Sequence, residues 1–135
     1  MRSIIIPVLA VVLITGCNHE APTEDIDKAA GQFFLRLQGA QYDQIYDQAD
    51  DHLKDQKPRA AVVDDLQQLA AYGRPLEWHR LSMTLGTESN EKRVAVPLYT
   101  MRTENMTLEI SLKFIDVEGE WKLLGFAVTP HVDKR

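Results

Sequence analysis

The stretch from Thr107 to Thr129 constrains the fold more than any other part of the sequence. In its first half apolar side chains alternate with polar ones, and the apolar positions are Leu108, Ile110, Leu112 and Phe114. A period of two predicts a strand with one face toward a core and the other toward water. Glu118-Gly119 interrupts the pattern, and the run from Trp121 to Val128 is apolar apart from Lys122 and Gly125. We therefore expect a tight hairpin whose second strand is covered on both faces.

Two further strands are predicted before this hairpin. Apolar and polar residues alternate from about Glu77 to Leu85 and again from Val94 to Met101. Pro97 lies inside the second run, and because proline has no N–H to donate to a ladder, we expect an edge position or a bulge there. Short turns join all four runs, which predicts an antiparallel meander.

Three helical segments precede the strands and supply the layer that an apolar sheet face needs. Each carries an apolar stripe at helical spacing. The stripes are Ile26, Ala29, Ala30, Phe33, Phe34 and Leu37, then Tyr42, Ile45, Tyr46, Ala49 and Leu53 after Gly39-Ala40, and finally Val62, Leu66, Leu69 and Ala70 after Pro58. A chain of 135 residues is long enough for one core. We therefore expect a single α+β domain over residues 23–130, followed by a flexible tail over residues 131–135.

The first 16 residues are typical of a secretory signal peptide, with a basic start at Arg2 and an apolar run from Ile4 to Ile14. The sequence Leu13-Ile14-Thr15-Gly16-Cys17 resembles the bacterial lipobox, which implies cleavage before Cys17 and lipidation of that residue. Several acyl chains hold a protein lastingly at a bilayer, because each buried methylene contributes about 0.8 kcal/mol. Residues 17–22 are then a short tether. Asn18 favours an outer membrane location facing the periplasm, whereas a host with one membrane would display the protein on its surface.

Charge and metal-ligand patterns exclude several classes of partner. The chain has 15 basic and 20 acidic residues, and its basic residues do not form the cluster that phosphate binding needs. We therefore expect no nucleic-acid partner. His19 and Glu20 are neighbours on the predicted tether and do not converge as metal ligands must. Asp43, Asp47 and Asp50 form an acidic stripe, which is common on solvated helix faces. With only Cys17 as a thiol, the sequence allows no internal disulfide, and we expect neither a metal nor a cofactor.

The order of helices and strands, with Gly39-Ala40-Gln41-Tyr42 at the start of the second helix and Glu118-Gly119-Glu120-Trp121-Lys122-Leu123 near the end, resembles the nuclear transport factor 2-like superfamily. The resemblance covers nearly all of the mature chain. It implies N-terminal helices packed on a curved, cone-shaped antiparallel sheet of four strands. The same cone serves ketosteroid isomerases, dehydratases, polyketide cyclases, transport factors and noncatalytic lipoproteins, so the fold alone does not fix the function.

Enzymes of that superfamily place Tyr, Asp or His inside the cone, where burial shifts a pKa. The residues of this chain that would line such a pocket are Tyr42, Tyr46, His79 and Tyr99, with His79 sharing the strand parity of Leu81 and Met83. A Tyr on an apolar stripe usually buries its ring, and no Asp or Glu occupies an inward strand position in the pattern. The sequence therefore assigns no catalytic residue.

The leading hypothesis is a noncatalytic, lipid-anchored envelope protein whose cone binds a protein partner or a small apolar ligand. The alternative is an enzyme similar to ketosteroid isomerase or a dehydratase that acts on a hydrophobic metabolite. The alternative requires two of the four polar side chains to point into one cavity. A third hypothesis is an accessory subunit of an envelope assembly that forms a homodimer through its sheet.

Overall fold

A computed structural model describes residues 22–88 and 91–130. The predicted signal peptide, Cys17 and the tail over residues 131–135 lie outside the described residues. The helices are α1 (Pro22–Gln38), α2 (Tyr42–Asp47), α3 (Asp51–Gln56) and α4 (Arg59–Ala70). The strands are β1 (Pro75–Thr87), β2 (Arg93–Thr103), β3 (Thr107–Val117) and β4 (Glu120–Pro130). In the described part of the chain, no helix is both long enough and apolar enough to cross a membrane.

The fold is α+β, with helices packed against one antiparallel sheet in the order β1-β2-β3-β4. The alternation predicted in β3 is confirmed, because Leu108, Ile110, Leu112 and Phe114 are all buried. The hairpin turn is confirmed too, since Glu118 and Gly119 both have positive φ and connect Val117 to its partner Glu120. Two successive residues with positive φ match the twist of a two-residue hairpin.

The second strand of that hairpin is not covered on both faces, so this prediction is wrong. Strand β4 is an edge of the sheet. Its inward side chains Trp121 and Leu123 are buried, whereas Ala127 on the opposite face is exposed. The apolar run reflects small residues on the outer face and does not indicate a second packed layer.

The predicted second helix is two helices, α2 and α3. The break falls at Asp50, whose carboxylate accepts a hydrogen bond from the backbone N–H of His52 (2.9 Å) and so caps α3. The backbone N–H of Asp50 donates to the carbonyl of Leu123 in β4 (2.9 Å). A capping Asp competes with continuation of the preceding helix. The apolar spacing nevertheless continues across Asp50, so it does not reveal the break between α2 and α3.

Helix α1 carries its predicted apolar stripe into the core, where Ile26, Ala30 and Phe34 have no exposed surface. The helix ends at Gln38, one residue before Gly39, and the residue in the left-handed region is Ala40 (φ 57°). The N–H of Gln41 donates to the carbonyl of Arg36 (2.8 Å), which together with the Ala40 N–H forms a Schellman ending. Glycine is the residue that this position normally favours.

Pro97 lies on an interior strand, so the first of the two predicted alternatives, an edge position, is wrong. It is buried opposite Met83 of β1, and the recorded pairs of β2 with β3 lie on either side of it, at Ala95 and Leu98. The irregularity is in the neighbouring strand, where Leu81 is an extra residue. A bulge of this kind bends the strand that contains it.

Candidate functional site

Tyr99 is a buried pocket candidate whose hydroxyl is already bonded. It is 3% exposed and donates to Asp27 Oδ1 on α1 (2.7 Å), an oxygen that also accepts from Arg80 Nε (3.0 Å). Burial, and secondly the hydrogen bond to the Asp27 carboxylate, raise the pKa of Tyr99 above its ordinary value of 10.0. The neutral phenol is therefore a fixed link between helix and sheet.

Tyr46 is buried, and its hydroxyl donates to the backbone carbonyl of Lys57 (3.2 Å). The Arg59 guanidinium lies 4.9 Å from the centre of the Tyr46 ring and binds Asp43 (2.9 Å) and Asp47 (2.6 Å). The hydrogen bonds to Asp47 and then Asp43 raise the pKa of Arg59. This cluster joins α2 to α4, and two members of the acidic stripe have a structural role in it.

His79 and Tyr42 lie away from these two sites. His79 is exposed opposite Thr100 on the sheet face that points away from the helices, whereas Met83 is opposite buried Pro97. The extra residue at Leu81 reverses the strand parity, so the prediction that His79 shares a face with Leu81 and Met83 is wrong. Tyr42 is half-buried at the start of α2 and packs against the core.

The structure therefore does not bring the four predicted pocket residues together. None of them is among the described residues that line the two clefts described below. Within residues 22–88 and 91–130, no group of three His, Cys, Asp or Glu side chains could hold a metal ion.

The larger opening, which we call the wide cleft, lies between α1, α2 and the β3–β4 hairpin. Its volume is about 710 Å³. Its apolar lining is Ala29, Phe33, Ile45, Phe114, Trp121 and Leu123, and its polar lining is Asp25, Lys28, Gln32, Arg36, Asp47, Gln48, Glu120 and Lys122, with Gly119 at the hairpin turn. The Arg93 guanidinium lies over the Trp121 ring of this floor, 5.2 Å from the ring centre.

The second opening, which we call the narrow cleft, lies between α3, α4 and the second half of β4. Its volume is about 410 Å³. Leu53, Val62, Leu69, Phe126 and Val128 are its main apolar residues. Lys57 and Asp65 stand on its rim as an ion pair (2.9 Å), so these two charges offset each other.

Strand β4 is common to both clefts. Glu120 to Leu123 line the wide cleft, and Leu124, Gly125, Phe126 and Val128 line the narrow one. Between them, the Asp50 N–H donates to the Leu123 carbonyl and connects the helical layer to the edge of the sheet. An additional residue at Leu124 in the β3–β4 ladder marks the same place.

The residues of the wide cleft were not predicted as a site from the sequence. Lys28, Gln32 and Arg36 follow one another at intervals of four on α1, which is the signal that would have placed them on one helix face. Trp121 is both buried and part of the cleft floor.

The chain matches no protein-family model, and a search of curated proteins found no significant match.

Proposed function

We propose that this protein is a lipid-anchored envelope protein that binds a small apolar ligand in the wide cleft without transforming it chemically. The observation that carries the proposal is the cleft itself, with Phe33, Phe114 and Trp121 on its floor. A volume of about 710 Å³ lies within the range of about 300–1,000 Å³ that is usual for small-molecule sites. Aromatic rings supply large apolar contact areas in such sites.

A noncatalytic role is supported by the way in which the candidate catalytic groups are used. Tyr46 and Tyr99 donate their hydroxyls to protein acceptors, and His79 lies on the other face of the sheet. An enzyme that isomerises or dehydrates its substrate needs polar groups that converge on one reacting atom. Among residues 22–88 and 91–130, the ketosteroid isomerase or dehydratase alternative therefore has no cluster of polar groups to support it.

Membership of the nuclear transport factor 2-like superfamily is part of the proposal. Extra residues occur at Leu76 and Leu81 in β1 and at Leu124 in β4. Such bulges bend and twist a sheet, which is what a cone requires.

Anchoring through Cys17 would keep the cleft close to a membrane. Only four residues lie between Cys17 and the start of α1 at Pro22, so five Cα–Cα steps connect the two. A fully extended chain of that length spans at most about 18 Å. A ligand that leaves the bilayer would therefore meet the wide cleft without long diffusion, and we place the protein at the periplasmic face of the outer membrane.

The test is binding of the neutral apolar dye N-phenyl-1-naphthylamine to the chain from Asn18 to Arg135, which retains every described residue. Gln32→Trp fills the wide cleft from an exposed position on α1, and Gln67→Trp adds the same side chain at an exposed position of α4 outside both clefts. We expect saturable fluorescence enhancement that Gln32→Trp abolishes and Gln67→Trp preserves. An absence of binding, or equal loss in both variants, would refute ligand binding at this cleft.

A second candidate function is interaction with a protein through the β4 edge, with a second copy of the chain as the first partner to test. From Leu124 to Thr129 this edge has no charged residue and no proline, the features that usually protect an edge from pairing. Light scattering on the same soluble form would show a dimer, and Ala127→Lys would convert it to a monomer. A wild-type monomer would exclude homodimerisation and leave only a different partner protein for this edge.

A further inference from the structure

Most basic side chains of residues 22–88 and 91–130 form an ion pair or a hydrogen bond within the protein, and three do not. Seven of them form ion pairs with carboxylates, Lys54 donates to the Asp47 carbonyl (2.7 Å), and Lys92 also has an interaction. Lys28, Arg36 and Lys122 are the described basic residues whose side chains have no such partner, and all three line the wide cleft. The unpaired positive charge of this part of the chain is therefore concentrated at one opening.

Acidic residues also line the wide cleft, and their distribution distinguishes its two ends. Asp25 lies near Lys28 in the first half of α1, and Glu120 follows the hairpin turn before Lys122. Asp47, at the α2 end, is bound by Arg59 (2.6 Å), which also binds Asp43, so the charge of Asp47 is partly offset. Positive and negative charges are thus mixed at the hairpin end.

Arg36 has a different environment, because it lies two helical turns, about 12 Å, beyond Lys28 along α1. Its side chain is half-buried, and the neutral amides of Gln32 and Gln48 line the same cleft. A guanidinium has a planar set of donors that fits the two oxygens of a carboxylate or phosphate. The apolar floor formed by Phe33 and Trp121 continues from this point.

We propose that the ligand of the wide cleft is an amphipathic anion, with its carboxylate or phosphate head group bound by Arg36 and its apolar chain lying on Phe33 and Trp121. This inference rests on the proposed function, because it specifies the chemistry of the molecule that the wide cleft takes. A free fatty acid and a phosphate-headed lipid product share this chemistry.

The experiment is isothermal titration of the Asn18–Arg135 chain with decanoate, decyl phosphate and decanol, which share an apolar chain and differ in head group. We expect at least one anion to bind about tenfold more tightly than decanol, a difference of about 1.4 kcal/mol. The preference should weaken as salt is added, because ions screen exposed charges. Whichever of decanoate and decyl phosphate binds more tightly identifies the head group.

The decisive variant is Arg36→Gln, which should remove the preference for anions and leave the affinity for decanol unchanged. Arg102→Gln is the matched control, because it makes the same charge change at an arginine paired with Glu77 on the other face of the sheet. Equal binding of decanol and both anions by the wild type would overturn the inference and leave the proposed function standing. Retained preference in Arg36→Gln would also overturn it, and no binding of any of the three probes would refute both proposals.

Discussion

Replacing Tyr99 by Phe tests whether the link between α1 and β2 stabilises the fold as the geometry indicates. The variant keeps the ring, which packs edge to face against Phe34 at 5.3 Å, and removes only the donor to Asp27. Hydrogen bonds to charged groups contribute about 1.5–3 kcal/mol. The Asp27 side chain is 41% exposed and keeps Arg80, so the freed carboxylate can rehydrate. We therefore expect a loss near the lower limit, about 1.5 kcal/mol at pH 7.

The same variant has a defined pH dependence. Because the folded-state pKa of Tyr99 is raised above 10.0, the unfolded chain loses this proton first, and the contribution to stability falls as pH rises above 10. Each pH unit beyond that point removes about 1.36 kcal/mol, so wild type and Tyr99→Phe should become equally stable near pH 11, at about one unit above the unfolded pKa.

Urea unfolding followed by circular dichroism between pH 7 and pH 11 would measure both effects. Tyr72→Phe is the control, because the structure records no hydrogen bond from its hydroxyl in the described part of the chain. It should change the free energy of unfolding by less than about 0.5 kcal/mol. A stability difference between Tyr99→Phe and wild type that stays constant up to pH 11 would show that Tyr99 does not titrate as its burial implies.

Two further outcomes follow from the structure, and a third follows from the sequence around Cys17. Trp121→Ala should destabilise the fold by about 3–5 kcal/mol in thermal or urea unfolding, because the ring is 9% exposed, and an unchanged melting temperature would refute its assignment to the core. Ala40→Gly should raise the free energy of unfolding by about 0.5–1 kcal/mol by relieving the left-handed conformation, whereas Ala60→Gly at an exposed position in α4 should lower it by up to about 1 kcal/mol. Cys17→Ser should abolish metabolic labelling with a fatty acid analogue and release the protein from the membrane fraction. Mass spectrometry that finds Met1 on the cellular form would contradict lipidation.

The sequence predicted the elements whose periodicity is set by one buried face. Alternation in β3 and the stripe on α1 are direct records of burial, and Glu118-Gly119 is a strong local signal for a hairpin turn. These features needed no knowledge of the rest of the fold.

The features that were missed depend on contacts between distant residues. The spacing of apolar residues does not show that a new helix begins at Asp50. The backbone N–H of Asp50 binds the carbonyl of Leu123 in β4, and this contact cannot be seen in the local sequence. A one-residue bulge at Leu81 leaves the composition of β1 unchanged and still reverses the face on which His79 lies. The wide cleft was missed for a related reason, because the sequence does not distinguish Arg36 from the arginines that form ion pairs in the described part of the chain.

The hydrogen bond from Asp50 to Leu123 has a mechanical consequence for the clefts on either side of it. The Asp50 N–H binds β4 at the residue where the lining of this strand changes from one opening to the other. A molecule that displaces β4 outward in one opening would strain this hydrogen bond and alter the width of the other opening. We therefore expect ligand binding in one opening to affect the other. The rate at which the Asp50 amide proton exchanges with deuterated water would report on both openings.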